Sequence, residues 1–172
     1  MTDERIPSSG KAALDRRGLP QASDPHLAPF FEMWLDTFIF HGRLDPKLRE
    51  LAILRVMWRC RQAFEWGNHY RLAREAGLTE EEVIAIRTPA PDRDLEGAVA
   101  LVVRAADEVI DDGYVVEETM VALQAVFPGP RLNEFLYLLG GYRMFAMVSA
   151  SRLEKHVLSH APWPPDGVGP SD

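Results

Sequence analysis

The sequence predicts an all-α fold, a single-domain helical bundle of six to seven helices. Three observations support this fold class. Apolar residues recur at the i, i+3 and i+4 spacing of a helix through most of the chain, no stretch alternates strictly as a strand does, and short segments with Gly or Pro separate the helical stretches. The length of 172 residues, 47% of them hydrophobic and 26% charged, is typical of one globular domain.

The two ends of the chain are expected to lie outside the bundle. Residues 1–24 are polar and rich in Ser, Gly and Pro, which predicts a flexible N-terminal arm. Residues 161–172 form a Pro/Gly-rich C-terminal tail, which cannot continue a helix because proline lacks an amide donor. Trp163 is expected to anchor this tail to the surface. The helical domain is therefore expected to span residues 25–160.

The first two helices have clear sequence signals. HLAPFFEMWLDTFIFHG carries apolar residues at helical spacing and is expected to stop at Gly42. The second helix lies in LDPKLRELAILRVMWRC, where Asp45 is an N-cap residue and Pro46 occupies the first helical position. This combination is a strong indication of a helix start.

The next two helices are also bounded by characteristic residues. Residues 64–77 predict a helix that ends with Gly77 in the left-handed conformation. LTEEEVIAIR begins with a capping box between Thr79 and Glu82, which predicts a short helix.

The remaining helices follow a loop. DLEGAVALVVRAADEVIDDG has an apolar stripe and ends at Gly113, residues 115–127 form another amphipathic segment that FPGP breaks, and a long final helix is expected from about residue 132 to 157. The large apolar side chains expected in the core are Trp34, Phe38, Met57, Trp58, Phe135 and Phe145.

Composition and charge exclude several classes of function. The net charge of −7, with arginines dispersed through the helices, argues against nucleic-acid binding. The longest apolar stretch, residues 135–150, is interrupted by Arg143 and two glycines, so it is too short to span a membrane. A single cysteine and an N-terminus without a signal peptide fit a cytoplasmic protein.

The stretch RCRQAFEWGNH, residues 59–69, holds a possible reactive centre. Glu65 and His69 are four residues apart and share a helix face, where a carboxylate can orient an imidazole for proton transfer. The alternative is a structural hydrogen bond between helices. On one straight helix Glu50 would lie about 22 Å from Glu65, so it joins them only if the chain reverses near residues 60–64. No Pro or Gly marks such a break before Gly67, and the residues alone leave this open.

Residues 44–86 resemble the signature region of the carboxymuconolactone decarboxylase family, which includes the alkylhydroperoxidase D-like proteins. The matching motifs are R-E-L-x-I-L-R, E-W-x-x-H and A-x-x-A-G-L-T-x-E-E-V, and a looser likeness over residues 25–157 includes the later G-G-Y. The resemblance implies an alkylhydroperoxidase D-like fold, separate antiparallel helices at 46–60 and 64–77, and a homo-oligomer, a trimer or larger.

The peroxidase branch of this family has Glu, eleven residues, C-x-x-C, three residues and His. On this chain the Glu and His positions are Glu50 and His69, whereas Gln62 and Glu65 occupy the two thiol positions. Disulfide-based peroxide reduction needs two thiols, and Cys60 has no partner cysteine in the sequence. Thiol peroxidase activity is therefore disfavoured, and Cys60 is expected to be a small apolar helix residue.

The favoured hypothesis is a carboxymuconolactone decarboxylase-like enzyme of lyase type, which performs non-redox acid/base chemistry on a small organic acid or lactone-like substrate without a cofactor. His69 would move the proton, Glu65 would orient His69, and Glu50 would polarise water or hold the substrate. A metal at these three side chains is chemically possible but is not expected.

Three further residues are expected to bind the substrate. Gln62 is a hydrogen-bond donor, Tyr142 reaches the cleft from the final helix, and Arg55, which together with Arg49 flanks Glu50, either pairs with that carboxylate or binds an anionic group.

Two alternatives remain. The first is a non-catalytic, oligomeric helical protein that binds a ligand or partner, which a structure without a solvent path to His69 would favour. The second is an alkylhydroperoxidase-type antioxidant that uses Cys60 and an external reductant. The sequence does not indicate the substrate.

Overall fold

The structure, a computed structural model, describes residues 24–88, 95–151 and 162–171. These segments contain α-helices and no strand, which confirms the all-α fold class. The α-helices are α1 (Ala28–Leu35), α2 (Pro46–Arg59), α3 (Ala63–Glu75), α4 (Glu80–Ala85), α5 (Gly97–Asp111), α6 (Glu117–Val126) and α7 (Pro130–Ser151). None of these helices combines the length and the apolar character that a membrane crossing requires.

The helix starts confirm the capping signals. The Asp45 side chain accepts a hydrogen bond from the amide of Leu48 at 3.1 Å, with Pro46 at the first position of α2. In the capping box of α4, the Thr79 amide donates to Glu82 at 2.7 Å and the Glu82 amide donates to the Thr79 hydroxyl at 3.2 Å. Each cap satisfies backbone donors that have no partner within the helix.

The first predicted helix is divided in two. After α1 the chain forms a π-helix over Asp36–Phe40, in which the amide of His41 bonds to the Asp36 carbonyl at 2.9 Å. The helical segment ends at Phe40, two residues before the predicted stop, and Gly42 is required there because a Cβ would lie 2.5 Å from the Phe38 carbonyl oxygen. Apolar spacing alone does not distinguish these two helix types.

The chain reverses between α2 and α3 through a Schellman motif. The Gln62 amide donates to the Met57 carbonyl at 2.9 Å and the Arg61 amide to the Trp58 carbonyl at 3.1 Å. Arg61 takes the left-handed position with φ 56°, which usually favours Gly. The structure therefore has the chain reversal between residues 60 and 64 that the sequence alone could not establish. The same motif closes α3 with Gly77 at φ 87°.

Helix α2 lies at the centre of the bundle and packs against α3, α5 and α7. Its residues from Arg49 to Met57 are all buried. The core prediction is confirmed for four side chains and the other two are partly buried: Trp34, Met57, Phe135 and Phe145 are buried, and Phe38 and Trp58 pack at the edge.

Two predicted boundaries differ from the structure or lie outside it. Helix α7 begins at Pro130, because a proline is well accommodated at the first helical position, so the break at FPGP is shorter than expected. The predicted continuation of this helix over residues 152–157 and most of the N-terminal arm lie outside the described residues.

Candidate functional site

Glu50 and His69 meet where α3 folds back along α2. Glu50 is in the first turns of α2 and His69 is in the second half of α3, so the antiparallel arrangement places them side by side. His69 Nδ1 and Glu50 Oε2 are 2.8 Å apart. The Glu50 side chain is 0% exposed and that of His69 is 1% exposed. The pair is therefore a buried hydrogen bond that joins the two helices.

Arg49 holds the other side of this carboxylate. Its Nε donates to Glu50 Oε1 at 2.7 Å and its Nη1 donates to the Ile39 carbonyl at 2.9 Å, so it also links α2 to the π-helix. Burial alone raises the pKa of Glu50, but the charges and hydrogen bonds of Arg49 and His69 outweigh it and leave the pKa below its ordinary value. Glu50 is therefore an ionised carboxylate.

This ionised carboxylate determines how the imidazole can act. Because it only accepts hydrogen bonds, we infer that the hydrogen of the neutral ring lies on Nδ1 of His69. Because Nδ1 is engaged by Glu50, Nε2 is the nitrogen left to exchange a proton with another group.

Tyr142 of α7 covers the imidazole. Its ring meets the His69 ring edge-on, with the centroids 4.9 Å apart and the planes at 89°. The Tyr142 hydroxyl is buried and makes no hydrogen bond with any residue that the structure describes. Burial raises the pKa of Tyr142 well above its ordinary value, and the Glu50 and Glu65 carboxylates raise it further. The hydroxyl therefore keeps its proton and is a potential donor beside the Glu50–His69 pair.

Glu65 takes a different position from the one expected. Its side chain is buried, 6% exposed, and accepts a long hydrogen bond of 3.4 Å from Asn68 Nδ2. The carboxylate that orients His69 is that of Glu50, because the Nδ1 side of the ring faces α2. The hydrogen-bond partner of His69 Nδ1 is therefore Glu50 rather than the expected Glu65, although the charge of Glu65 still acts on Tyr142.

Arg55 does not join this cluster. Its Nε donates to Asp107 of α5 at 2.7 Å, and its Nη1 donates to the carbonyls of Ile86 at 2.6 Å and Arg87 at 3.1 Å. These contacts tie α2 to α5 and to the residues that follow α4. The contacts of Arg55 thus support a structural role rather than the expected substrate contact.

Gln62 and Cys60 lie at the turn rather than in the cluster. Gln62 is the N-cap residue of α3, and its side-chain amide donates to the Cys60 carbonyl at 3.0 Å. Burial raises the pKa of the Cys60 thiol, against the opposing charges of Arg143 and Arg59. Cys60 lines a separate apolar groove of about 630 Å³ along α7.

The contact between Trp34 and Gly141, which packs α1 over the Glu50–His69 cluster, was not among the predictions from the sequence. The Trp34 ring lies so close to the backbone of α7 that a Cβ on Gly141 would be 2.0 Å from it. Trp34 and Tyr142 both meet the Phe145 ring edge-on. The G-G-Y sequence was the available signal, because a helical glycine allows such a close approach.

The described residues contain no group of three or more His, Cys, Asp and Glu side chains arranged to hold a metal ion.

Comparison with known proteins gives one match. The model of the carboxymuconolactone decarboxylase family matches residues 25–108, a segment that contains Glu50, Glu65 and His69 but not Tyr142. No curated protein and no solved structure matches the chain. Residues 25–108, just under half of the chain, therefore match the carboxymuconolactone decarboxylase family.

Proposed function

We propose that the protein is a carboxymuconolactone decarboxylase-like enzyme that performs acid/base chemistry, without a redox step, on a small organic acid or lactone-like substrate. The family match supports a decarboxylase-like or related alkylhydroperoxidase-type function. The observation that carries the finer proposal is the 2.8 Å hydrogen bond between His69 Nδ1 and the ionised, buried Glu50. This arrangement suits an imidazole that must move a proton.

The proposed roles follow from the chemistry of decarboxylation. Breaking the bond to the carboxylate releases CO₂ and leaves an electron pair on a carbon conjugated with the lactone carbonyl, and one proton must then be added to carbon. His69 delivers this proton from Nε2, while Glu50 holds the ring and balances its positive charge, and Arg49 holds Glu50 in place. The Tyr142 hydroxyl donates a hydrogen bond to the carbonyl oxygen as negative charge develops on it. Glu65 relays the proton toward the surface, because it is the more exposed of the two carboxylates.

The same burial favours a second candidate function. His69 and Glu50 are closed to solvent in the single chain, so a substrate reaches them only if the surrounding helices open. If they never open, the hydrogen bond between Glu50 and His69 ties α2 to α3 in a non-catalytic protein that binds a ligand or partner elsewhere.

The replacement His69→Gln separates these two functions. With carboxymuconolactone as the probe, CO₂ release is expected to fall at least about 100-fold while the helical circular dichroism is retained. His41→Gln is the matched control, because His41 is 50% exposed and pairs with Asp36 outside the cluster. Loss of helical structure in His69→Gln, or no turnover by the unmodified chain on this probe, would instead support the second candidate.

We further expect the domain to assemble as a homo-oligomer of three or more subunits. Apolar side chains exposed at the first helix, namely Leu27, Phe30 and Met33, support this expectation. Sedimentation equilibrium of the full chain measures the subunit number, and a monomer at micromolar concentration would contradict it.

A further inference from the structure

The C-terminal segment Trp163–Ser171 lies in a cleft formed by α2, α3 and the residues after α4. The Trp163 ring contacts Trp58 at 5.5 Å and Trp66 at 5.8 Å between centroids, and Trp58 and Trp66 are themselves 5.4 Å apart. Three indole rings thus pack together, although Trp163 is distant in the sequence from Trp58 and Trp66. Aromatic pairs in these geometries contribute about 0.5–1.5 kcal/mol each beyond the area they bury.

Arg87 provides the polar part of this cleft. Its Nη1 donates to both carboxylate oxygens of Asp166 at 2.8 and 2.9 Å, and its Nη2 donates to the Pro164 carbonyl at 2.9 Å. The guanidinium carbon lies 4.9 Å from the Trp58 ring centroid and 5.0 Å from that of Trp66. Trp66 Nε1 also donates to the Pro164 carbonyl at 2.7 Å. A buried cation that stacks on two indoles is a well-defined receptor for a carboxylate.

The segment itself is preorganised. The Gly167 amide donates to the Trp163 carbonyl at 2.9 Å, and the Val168 amide donates to Asp166 Oδ1 at 3.0 Å. Gly169 packs so closely on the Trp163 indole that a Cβ would lie 2.7 Å from its Nε1. A peptide that holds its own bound shape loses less conformational entropy on binding.

We propose that the cleft of Trp58, Trp66 and Arg87 is a recognition site for a Trp-Pro-Pro-Asp peptide segment, and that this chain's own C-terminus is its occupant. Trp163 packs against the edge of the hydrophobic core, and the segment is bound there as a separable ligand. The cleft supplies one subsite for each feature of the segment: an indole slot for Trp163, the Trp66 donor for the Pro164 carbonyl, and Arg87 for Asp166.

Binding at this cleft also braces the reversal between α2 and α3. Arg61, the left-handed residue of that turn, donates from Nη2 to the Ser171 carbonyl at 2.8 Å. Trp66 lies one turn before His69 on α3. The occupied cleft therefore holds the same helical hairpin that brings Glu50 to His69.

The test uses the full chain with Trp163→Ala and Asp166→Asn, which weaken the internal ligand without shortening the protein. A fluorescent peptide of residues 161–172 is titrated in, and anisotropy measures its binding. This variant is expected to bind the peptide, whereas the unmodified chain binds it about 10- to 100-fold more weakly, because a tethered segment competes at an effective concentration in the millimolar range.

Two matched variants locate the binding site. Arg87→Lys in the same background is expected to weaken peptide binding at least about 10-fold, because lysine has no planar group that binds both Asp166 and the Pro164 carbonyl while it stacks on two indoles. Arg104→Lys, at an exposed arginine of α5, is expected to leave the affinity unchanged, because the contacts described for Trp163, Pro164 and Asp166 are with Trp58, Trp66 and Arg87.

Three results would overturn the proposal. They are no peptide binding by a variant that keeps its helical circular dichroism, equal binding by the variant and the unmodified chain, and loss of the helical fold in the variant, which would show that the segment is part of the core.

Discussion

Helix α2 carries two buried arginines, and their partners differ in kind. Arg49 is 3% exposed and shares the carboxylate of Glu50 with an imidazole. Arg55 is 2% exposed and pairs with Asp107, which also binds Arg59 at 2.7 Å. The Arg49 cluster contains an imidazole and a neighbouring hydroxyl without a partner among the described residues. The Arg55 side chain instead binds a carboxylate and two backbone carbonyls.

Both residues are buried arginines, so the residue type alone does not decide which buried charge can take part in chemistry. Both arginines stand in the same R-E-L-x-I-L-R motif, and both are closed to solvent. Asp107 binds two arginines, which do not act as general acids or bases near neutral pH, whereas Glu50 binds an imidazole, the side chain most often used for proton transfer. Replacements in the two clusters should therefore separate stability from activity.

The largest effect is expected from Arg55→Ala. This change leaves the carbonyls of Ile86 and Arg87 without their donor and opens a cavity at the centre of the bundle. We expect the free energy of unfolding to fall by about 3–5 kcal/mol, measured by urea denaturation. Arg59→Ala is the control, because the Arg59 side chain is 26% exposed and its loss should cost much less. Equal losses in the two variants would contradict a structural role specific to Arg55.

A smaller effect on stability, with a distinct pH dependence, is expected from Glu50→Gln. This change leaves the Arg49 charge without its counterion, so we expect a loss of about 1–3 kcal/mol at neutral pH. The folded pKa of Glu50 is lowered, so its contribution is present above the unfolded value of about 4.3 and is lost as the pH falls through the folded value. The variant should therefore lack part of the acid-side decline in stability.

Urea denaturation between pH 2 and pH 7 measures this dependence. Glu82→Gln is the control, because Glu82 also has a lowered pKa but is half-exposed in its capping box. A decline in Glu50→Gln identical to that of the unmodified chain would show that Glu50 does not titrate as described.

Tyr142→Phe should change activity more than stability. Its hydroxyl is buried without a described partner, so its removal is expected to leave the free energy of unfolding unchanged or raise it by up to about 1 kcal/mol. Turnover of carboxymuconolactone is expected to fall about 10- to 100-fold if the hydroxyl stabilises developing charge. Tyr137→Phe, at an exposed position on the same helix, should change neither quantity. Lower stability with full turnover would argue against this role.

The smallest effect is expected from Cys60→Ser. The thiol is half-buried, its pKa is raised, and the sequence offers it no second cysteine. Peroxide consumption with dithiothreitol as the external reductant should be the same in the variant and the unmodified chain, and stability should change by less than about 1 kcal/mol. If the unmodified chain consumes peroxide and Cys60→Ser does not, the result would support the thiol peroxidase alternative.

Much of the fold could be predicted because its signals are local. Asp45 with Pro46, and Thr79 with Glu82, start helices through bonds to neighbouring residues, so their effect is visible in the sequence. The reversal at Arg61 could not be predicted in this way. Its Schellman motif places an arginine in the left-handed conformation, at a cost of roughly 1–2 kcal/mol, where sequence rules look for glycine.

The site was only partly predictable for a related reason. The spacing of Glu65 and His69 correctly places them on the same helix, but the hydrogen bond of His69 is decided by the neighbouring helix, which presents Glu50. The partner of Arg55, Asp107, lies 52 residues away, and no local pattern indicates it. Residue types could be selected from the sequence, whereas their pairing depends on how the helices pack.

The reversal at Arg61 also has a consequence for folding. Glu50 and His69 are 19 residues apart in the sequence, whereas Arg55 and Asp107 are 52 apart, so less loop-closure entropy is lost when the first pair meets. Proteins rich in such short-range contacts fold quickly. We therefore expect the α2–α3 hairpin, with Glu50 and His69 already facing each other, to form before α5 docks. In a folding experiment the Glu50–His69 contact would then belong to the folding nucleus. The Arg55–Asp107 contact would form later, when α5 docks on the hairpin.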